Sequence, residues 1–164
     1  MQIMSRQRGV TLIEVLVAVV VFSVGVLALA LLQAKGAQFT KESGSRTAAI
    51  IQARSIADAM RANPAGANPP GVVDSYYLYD GSSSFSKADC ETTDLSTTQK
   101  IATRDLACWS RRVSAAIPTP GSGVKVATVT KDASLGTLTV KVSWAGAQNV
   151  GGNINQSYSF TYLP

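Results

Sequence analysis

The feature that most constrains this chain is a run of about 23 apolar residues near its N-terminus, from Val10 to Leu32. The stretch "GVTLIEVLVAVVVFSVGVLALALL" contains a single charged residue, Glu14. A helix of that length rises about 34 Å, enough to cross a hydrocarbon core of about 30 Å. A cleaved secretory signal would have a shorter apolar centre of about 7–15 residues followed by small residues, and neither feature is present. The sequence therefore predicts a helix that anchors the chain in a membrane.

The charges and cysteines around this segment indicate its orientation. Arg6 and Arg8 precede it, whereas two lysines and a glutamate follow it, so the positive-inside rule mildly favours a cytoplasmic N-terminus. Cys90 and Cys108 lie downstream, where a cysteine pair is easier to explain in an oxidising compartment. We therefore expect the C-terminal part of the chain to lie outside the cytoplasm.

Glu14 is the unusual residue of the apolar segment. A carboxylate in the bilayer interior costs on the order of 2.5–3.5 kcal/mol, and such residues usually mark a function or a partner charge. Cleavage after Gly9 would create an α-amino group on Val10, and that cation of one chain could pair with Glu14 of a neighbouring helix. The alternative is that Glu14, near the start of the segment, extends to the lipid headgroups.

Gly9, Val10 and Glu14 belong to the stretch "RGVTLIEVLVAVVVFSVGVLAL". This stretch resembles the prepilin signature of type IV pilins and pseudopilins. The resemblance implies that a prepilin peptidase cuts after Gly9 and methylates Val10, and that Glu14 guides the subunit into a growing fibre. Val10 stands where the family most often has phenylalanine. Leu31 stands where many major pilins carry a helix-kinking proline, which favours a minor subunit.

The next segments show helical periodicity interrupted by a loop. "AAIIQARSIADAMRANP" predicts that the helix continues to about Asn63, where Pro64 ends it. A loop rich in Pro, Gly and Ser follows, with at most a short strand at Val72 to Tyr79. Its three tyrosines, Tyr76, Tyr77 and Tyr79, either form a recognition surface or, as we expect, pack beneath the loop.

A second amphipathic helix is predicted from Leu95 to Ile117, ended by Pro118. Its apolar positions recur at steps of three and four residues: Ala102, Leu106, Trp109, Val113 and Ile117. Cys108 lies within this helix and Cys90 precedes it, so the two form either one intramolecular disulfide, which we favour, or a pair of free thiols. A disulfide here would stabilise the fold by roughly 3 kcal/mol.

The last 40 or so residues alternate with the period of a strand. Three such stretches predict an antiparallel meander whose inward side chains are Leu138, Val140, Val142 and Trp144 on one strand and Tyr158, Phe160 and Tyr162 on another. The sheet would bury one face against the long helix. The predicted fold class is α+β and pilin-like, with a long N-terminal helix packed on a C-terminal antiparallel sheet and with a loop region and a short second helix between them.

The predicted organisation is a leader at residues 1–9, a transmembrane helix at 10–32, its amphipathic continuation at 33–63 and a globular domain at 64–164. The segments "ADAMRANPAG", "DLACW" and "VKVSW" are similar in order and spacing to PilV-type minor pilins. That resemblance implies a structural subunit at or near the tip of a type IV pilus, which primes assembly and supports twitching motility and adhesion. Its implied partners are the inner membrane, prepilin peptidase, other minor pilins, the major pilin and a tip adhesin.

Three other functions were weighed against this one. A pseudopilin of a type II secretion system would have the same N-terminus. A membrane-anchored enzyme is disfavoured, because the chain has no histidine and no nucleophile or phosphate-binding motif, and choosing among Asp74, Asp80 and Asp105 would be arbitrary. We expect no cofactor and no metal site.

A nucleic-acid-binding or adhesive tip module is the third alternative. It would use a diffuse basic face formed by Lys125, Lys131, Lys141, Arg111 and Arg112. The encoded net charge is +5, and a chain that begins at Val10 has +3, too little to indicate nucleic-acid binding by itself. We therefore do not expect nucleic acid as a direct partner.

Overall fold

The computed structural model describes residues 9–71, 74–146 and 155–164. Its elements are α1 (Leu12–Ala62), α2 (Pro64–Ala67), α3 (Lys87–Glu91), α4 (Thr98–Ala116), β1 (Ala127–Lys131), β2 (Leu138–Ala145) and β3 (Asn155–Tyr162). The predicted α+β class is confirmed: a long N-terminal helix is followed by a shorter helix and a three-stranded antiparallel sheet. The leader up to Arg8, the first two residues of the possible strand at Val72 to Tyr79, and most of the turn before the last strand lie outside the described residues.

The chain divides into two compact units, one ending at Thr40 and the other spanning Lys41–Pro164. In the first unit the described residues form the beginning of α1, and every side chain of its apolar segment is exposed. Ser23 satisfies its hydroxyl within the helix by donating to the carbonyl oxygens of Val19, at 2.6 Å, and Val20, at 3.1 Å. Among the described residues, α1 is the one helix long and apolar enough to cross a membrane.

The second unit has a hydrophobic core built by α1, α4 and the sheet. The buried side chains of α1 recur at helical spacing, as Ala49, Ala53, Ile56, Ala57 and Met60. All five apolar positions predicted for the second helix are buried, and Trp109 is completely inaccessible. The Trp109 indole N–H donates to the carbonyl oxygen of Gln52 across 2.8 Å, so its polar atom is satisfied inside the core.

The sheet has the strand order β1-β2-β3, and both pairings are antiparallel. The four inward positions predicted for β2 are all buried, and the three aromatic positions predicted for β3 are partly buried. Val140 stands between Val129 on β1 and Phe160 on β3, which fixes the register of the inner face. The β1–β2 turn is held by Asp132, whose carboxylate accepts hydrogen bonds from two turn amides, and by Gly136, which adopts a positive φ of 68°.

One helix boundary differs from the sequence prediction, and one short helix before it was not predicted. The second helix begins at Thr98 rather than Leu95, because the Thr97 side chain accepts a hydrogen bond from the Lys100 amide, at 3.2 Å, and caps the helix there. The short helix α3 was not predicted. Its start is a capping box in which Ser86 and Asp89 each accept from the other's backbone amide, and the spacing Ser-x-x-Asp was the available signal.

The loop tyrosines pack inward, as expected. Tyr77 is fully buried, and Tyr76 and Tyr79 are partly buried against the core. Tyr79 exchanges two backbone hydrogen bonds with Val129 of β1, at 2.8 and 3.0 Å. Among its described residues, the loop therefore pairs with the sheet through a single β-bridge and not through a strand. The Tyr79 ring also meets Trp109 edge to face at 6.1 Å between centroids.

A polar network joins the end of α1 to α4 through Tyr77. The Tyr77 hydroxyl donates to Asp105 at 2.8 Å, and the Asn63 side-chain amide donates to the same hydroxyl at 3.3 Å and to the Thr98 carbonyl oxygen at 2.8 Å. Burial raises the pKa of Tyr77 well above its usual value, and the Asp105 carboxylate raises it further. The phenol is therefore protonated at any physiological pH and serves as a fixed donor.

Asp94 provides a pH-dependent contribution to stability. The Lys100 ammonium, and next the Ser96 hydroxyl and amide, hydrogen-bond its carboxylate and lower the pKa of Asp94 from 3.8 to about 2. Because the folded state holds the ionised form, this contribution is fully present above pH 3.8 and is lost as the pH falls towards 2. A carboxyl NMR titration should place the Asp94 midpoint near 2, and Lys100→Gln should move it back towards 3.8. A midpoint near 3.8 in the unmodified chain would contradict the pairing.

Candidate functional site

The predicted processing site lies just ahead of α1. Gly9, Val10 and Thr11 precede the helix, and the Thr11 carbonyl oxygen accepts its first hydrogen bonds, from the amides of Glu14 at 3.1 Å and Val15 at 3.3 Å. Gly9 is exposed, and no atom lies within 4 Å of a side chain built there. The Gly9–Val10 peptide bond therefore lies outside the helical hydrogen-bond ladder, where a peptidase can bind it without first unwinding a turn.

Glu14 occupies the first turn of α1. A negative charge there is favoured by the helix macrodipole, whose positive end lies at the N-terminus. No cation among the described residues lies within ion-pairing distance of Glu14. The carboxylate is therefore available to headgroups or to a charge on another chain, and its pairing with Val10 of a neighbouring subunit stays a prediction.

The two cysteines meet at the surface of the second unit. Cys90 of α3 and Cys108 of α4 form a disulfide, with their Cα atoms 4.7 Å apart. Of the two alternatives left open by the sequence, the structure has the bridge, and no described cysteine is free. The bridge ties α3, and the loop that contains it, to α4.

Removing this disulfide should destabilise the second unit, Lys41–Pro164, which we call the globular unit. Replacing Cys90 and Cys108 together by serine should lower the free energy of unfolding by about 3 kcal/mol, because the unfolded chain regains the freedom of the closed loop. Urea denaturation of the full chain in nonionic detergent, followed by tryptophan fluorescence, measures the change. Reducing the unmodified chain should give the same midpoint as the double variant, and a reduced chain as stable as the oxidised one would contradict the prediction.

Two of the three carboxylates considered for catalysis, Asp80 and Asp105, hold structural hydrogen bonds. Asp80 accepts from the amides of Ser82 and Ser83 in a tight turn, and these hydrogen bonds lower its pKa. Asp105 is held by Tyr77 and by Arg104, whose guanidinium lies 3.3 Å away. Asp74 is exposed. The part of the chain that the structure describes contains no group of three or more metal-ligating side chains.

Two lysines of the basic face considered as an alternative, Lys131 and Lys141, lie on opposite faces of the sheet. Lys141 alternates with the buried residues of β2, so it lies on the sheet face that points away from the core. Lys131 is two residues from the buried Val129 on β1, so it lies on the face that points toward the core. Arg111 and Arg112 are exposed on α4, as predicted. Arg104 lies on the same side of that helix, and sequence reasoning missed its relation to the other two arginines.

Comparison with known proteins identifies the N-terminal segment. Residues 4–30 match the family model described as "Prokaryotic N-terminal methylation motif". Comparison with curated proteins and with solved structures finds no match. The matched segment contains Gly9, Val10 and Glu14 and ends inside the apolar part of α1.

The match supports a protein of the type IV pilin and pseudopilin class. Proteins with this motif are structural rather than enzymatic. The motif implies processing by prepilin peptidase and assembly with other pilins in the inner membrane. Together with the apolar helix it indicates a single-pass, membrane-anchored protein.

Proposed function

We propose that this chain, whose first residues carry a prepilin-type methylation motif, is a minor pilin of a type IV pilus. Prepilin peptidase removes residues 1–9, methylates Val10, and leaves a subunit held in the inner membrane by residues 10–32. That subunit enters the fibre at or near its tip, where it helps to prime assembly and thereby supports twitching motility and adhesion. Residues 33–63 continue the helix, and residues 64–164 form the exposed domain.

One observation carries the proposal: a match to the methylation motif coincides with an exposed apolar helix whose first turn holds Glu14, a carboxylate that pairs with no cation among the described residues. An isolated membrane anchor gains only about 0.3–1 kcal/mol from the helix macrodipole, less than the bilayer cost of the carboxylate, on the order of 2.5–3.5 kcal/mol. A subunit that must dock beside others does gain, because the new ammonium group on Val10 of its neighbour offsets the cost only after docking. The charge therefore works as a signal for assembly.

Two further features favour a minor subunit with an extracytoplasmic domain. α1 runs through Leu31 without a break, so it lacks the proline-induced kink that many major pilins have at this position. The Cys90–Cys108 disulfide suits an oxidising compartment, which supports a cytoplasmic N-terminus and a periplasmic domain. After assembly the domain would lie at the cell surface.

The alternative is a minor pseudopilin of a type II secretion system, which would share the same N-terminus and maturation. Deleting the gene in the source bacterium separates the two functions. We expect loss of surface fibres and of twitching while secretion of folded proteins continues, and restoration of both by the unmodified gene. Intact twitching with failed secretion would assign the chain to the secretion system instead, and no change in either process would reject both functions.

A further inference from the structure

Three arginines on the surface side of α4 line one groove beside the disulfide. Arg104, Arg111 and Arg112 lie on the same side of the helix as Cys108, because these positions recur at helical spacing opposite the buried residues. The groove has a volume of about 580 Å³, and the disulfide and Ala115 contribute to its lining. We call it the arginine groove.

The arginine groove carries uncompensated positive charge. Its single carboxylate, Asp105, already binds Tyr77 and Arg104. Arg112 donates only its Nε to the Cys108 carbonyl oxygen, at 3.4 Å, and Arg111 makes no hydrogen bond or ion pair with any described residue. Two guanidinium groups are thus available to a ligand.

The acidic residues nearest in sequence do not offset this charge. Asp89 and Glu91 flank Cys90 but do not line the groove: Asp89 accepts hydrogen bonds from Ser86, and Glu91 pairs with Lys87 at 3.3 Å. Asp94 pairs with Lys100. Like charges on one helix face repel each other, so the three arginines lower the stability of the folded chain. An anionic ligand would remove this repulsion. A guanidinium group binds carboxylates through two parallel hydrogen bonds, which makes a carboxylate a suitable partner.

The lining of the groove favours a peptide over a nucleic acid. The sheet lysines do not extend the cationic surface into the stripe that a phosphate backbone requires. Instead Arg111 also borders a second groove, of about 440 Å³, which is lined by aromatic rings and by four serines: Ser83, Ser84, Ser110 and Ser114. A peptide that crosses Arg111 would meet the cations and the disulfide on one side, and aromatic rings together with hydroxyl groups for its backbone on the other.

We propose that the arginine groove binds an acidic segment of a partner protein. The groove belongs to the globular unit and contains none of the residues of the processing site, so this binding does not depend on maturation or on the identity of the fibre. Its failure would leave the pilin function untouched, and the converse also holds.

Fluorescence anisotropy with a fluorescein-labelled hexaglutamate peptide tests the proposal on the full chain in nonionic detergent at low ionic strength. We expect saturable binding that the Arg111→Gln/Arg112→Gln double variant weakens about tenfold. The matched control is Arg46→Gln/Arg54→Gln, which makes the same charge change at exposed positions of α1 that do not line the groove. The control should retain the affinity of the unmodified chain within about twofold.

Three outcomes would overturn the proposal. The first is the absence of saturable peptide binding to the unmodified chain. The second is equal weakening in both double variants, because it would reduce the effect to overall charge. The third is tighter binding of a duplex DNA oligonucleotide, with the same sensitivity to Arg111 and Arg112, which would assign the groove to nucleic acid instead of an acidic protein segment.

Discussion

Replacing Trp109 by alanine should lower the free energy of unfolding of the globular unit by about 3–5 kcal/mol. Trp109 is the largest fully buried side chain and contacts the core shared by α1, α4 and the sheet. Its removal leaves a cavity among elements that meet there, and the loop loses the edge-to-face contact of Tyr79. Chemical denaturation of the full chain in nonionic detergent, followed by near-ultraviolet circular dichroism, measures the loss.

Two control variants separate the effect of lost core packing from the effect of the lost hydrogen bond and from the effect of shortening any side chain. Trp109→Phe retains much of the ring volume but removes the indole hydrogen bond to Gln52, so it should cost clearly less than the alanine variant. Leu135→Ala shortens a side chain that is 71% exposed and should change stability by less than about 0.5 kcal/mol. A loss below about 1 kcal/mol for Trp109→Ala would contradict the placement of this residue at the centre of the core.

Replacing Glu14 by alanine should leave membrane insertion and leader removal intact while depleting the protein from sheared fibres. Alanine makes the apolar helix easier to insert, because the cost of the buried carboxylate, on the order of 2.5–3.5 kcal/mol, disappears. If an ion pair formed on docking offsets that same cost, loss of the ion pair corresponds to about a hundredfold weaker incorporation into fibres. Quantitative immunoblotting of membrane and sheared fractions gives the ratio.

The matched control for Glu14 is Glu42→Ala, which removes the same charge from α1 beyond the apolar segment. Glu42→Ala should enter fibres at the level of the unmodified protein. Unchanged incorporation of Glu14→Ala would mean that the carboxylate extends to the headgroups and carries no assembly signal.

The parts of the fold that sequence analysis predicted are those governed by periodicity. The positions Ala102, Leu106, Trp109 and Val113 and the alternation along β2 followed directly from the geometry of a helix and a strand. Glu14 could also be singled out from the sequence alone, because a charge within an apolar run is visible without any tertiary information. Whether Glu14 pairs with Val10 of a neighbouring chain stays a prediction, since it depends on another molecule.

The features that sequence analysis missed depend on contacts between distant segments. The five residues of α3 are too few to show a helical period, and only the Ser86–Asp89 spacing marked them. The inward packing of Tyr77 was expected, but its hydrogen bonds with Asn63 and Asp105 were not, because they join segments far apart in the sequence. Arg104 could be placed in a groove with Arg111 and Arg112 only once the position of the disulfide beside α4 was known.

Maturation of this chain as a prepilin can be tested by measuring the mass of its N-terminus. The full chain is expressed with and without prepilin peptidase, and the product is examined by intact-mass and N-terminal peptide mass spectrometry. We expect loss of Met1 to Gly9 and a methylated Val10 only when the peptidase is present. An uncut N-terminus in the presence of active peptidase would contradict this expectation and leave an ordinary signal-anchored domain.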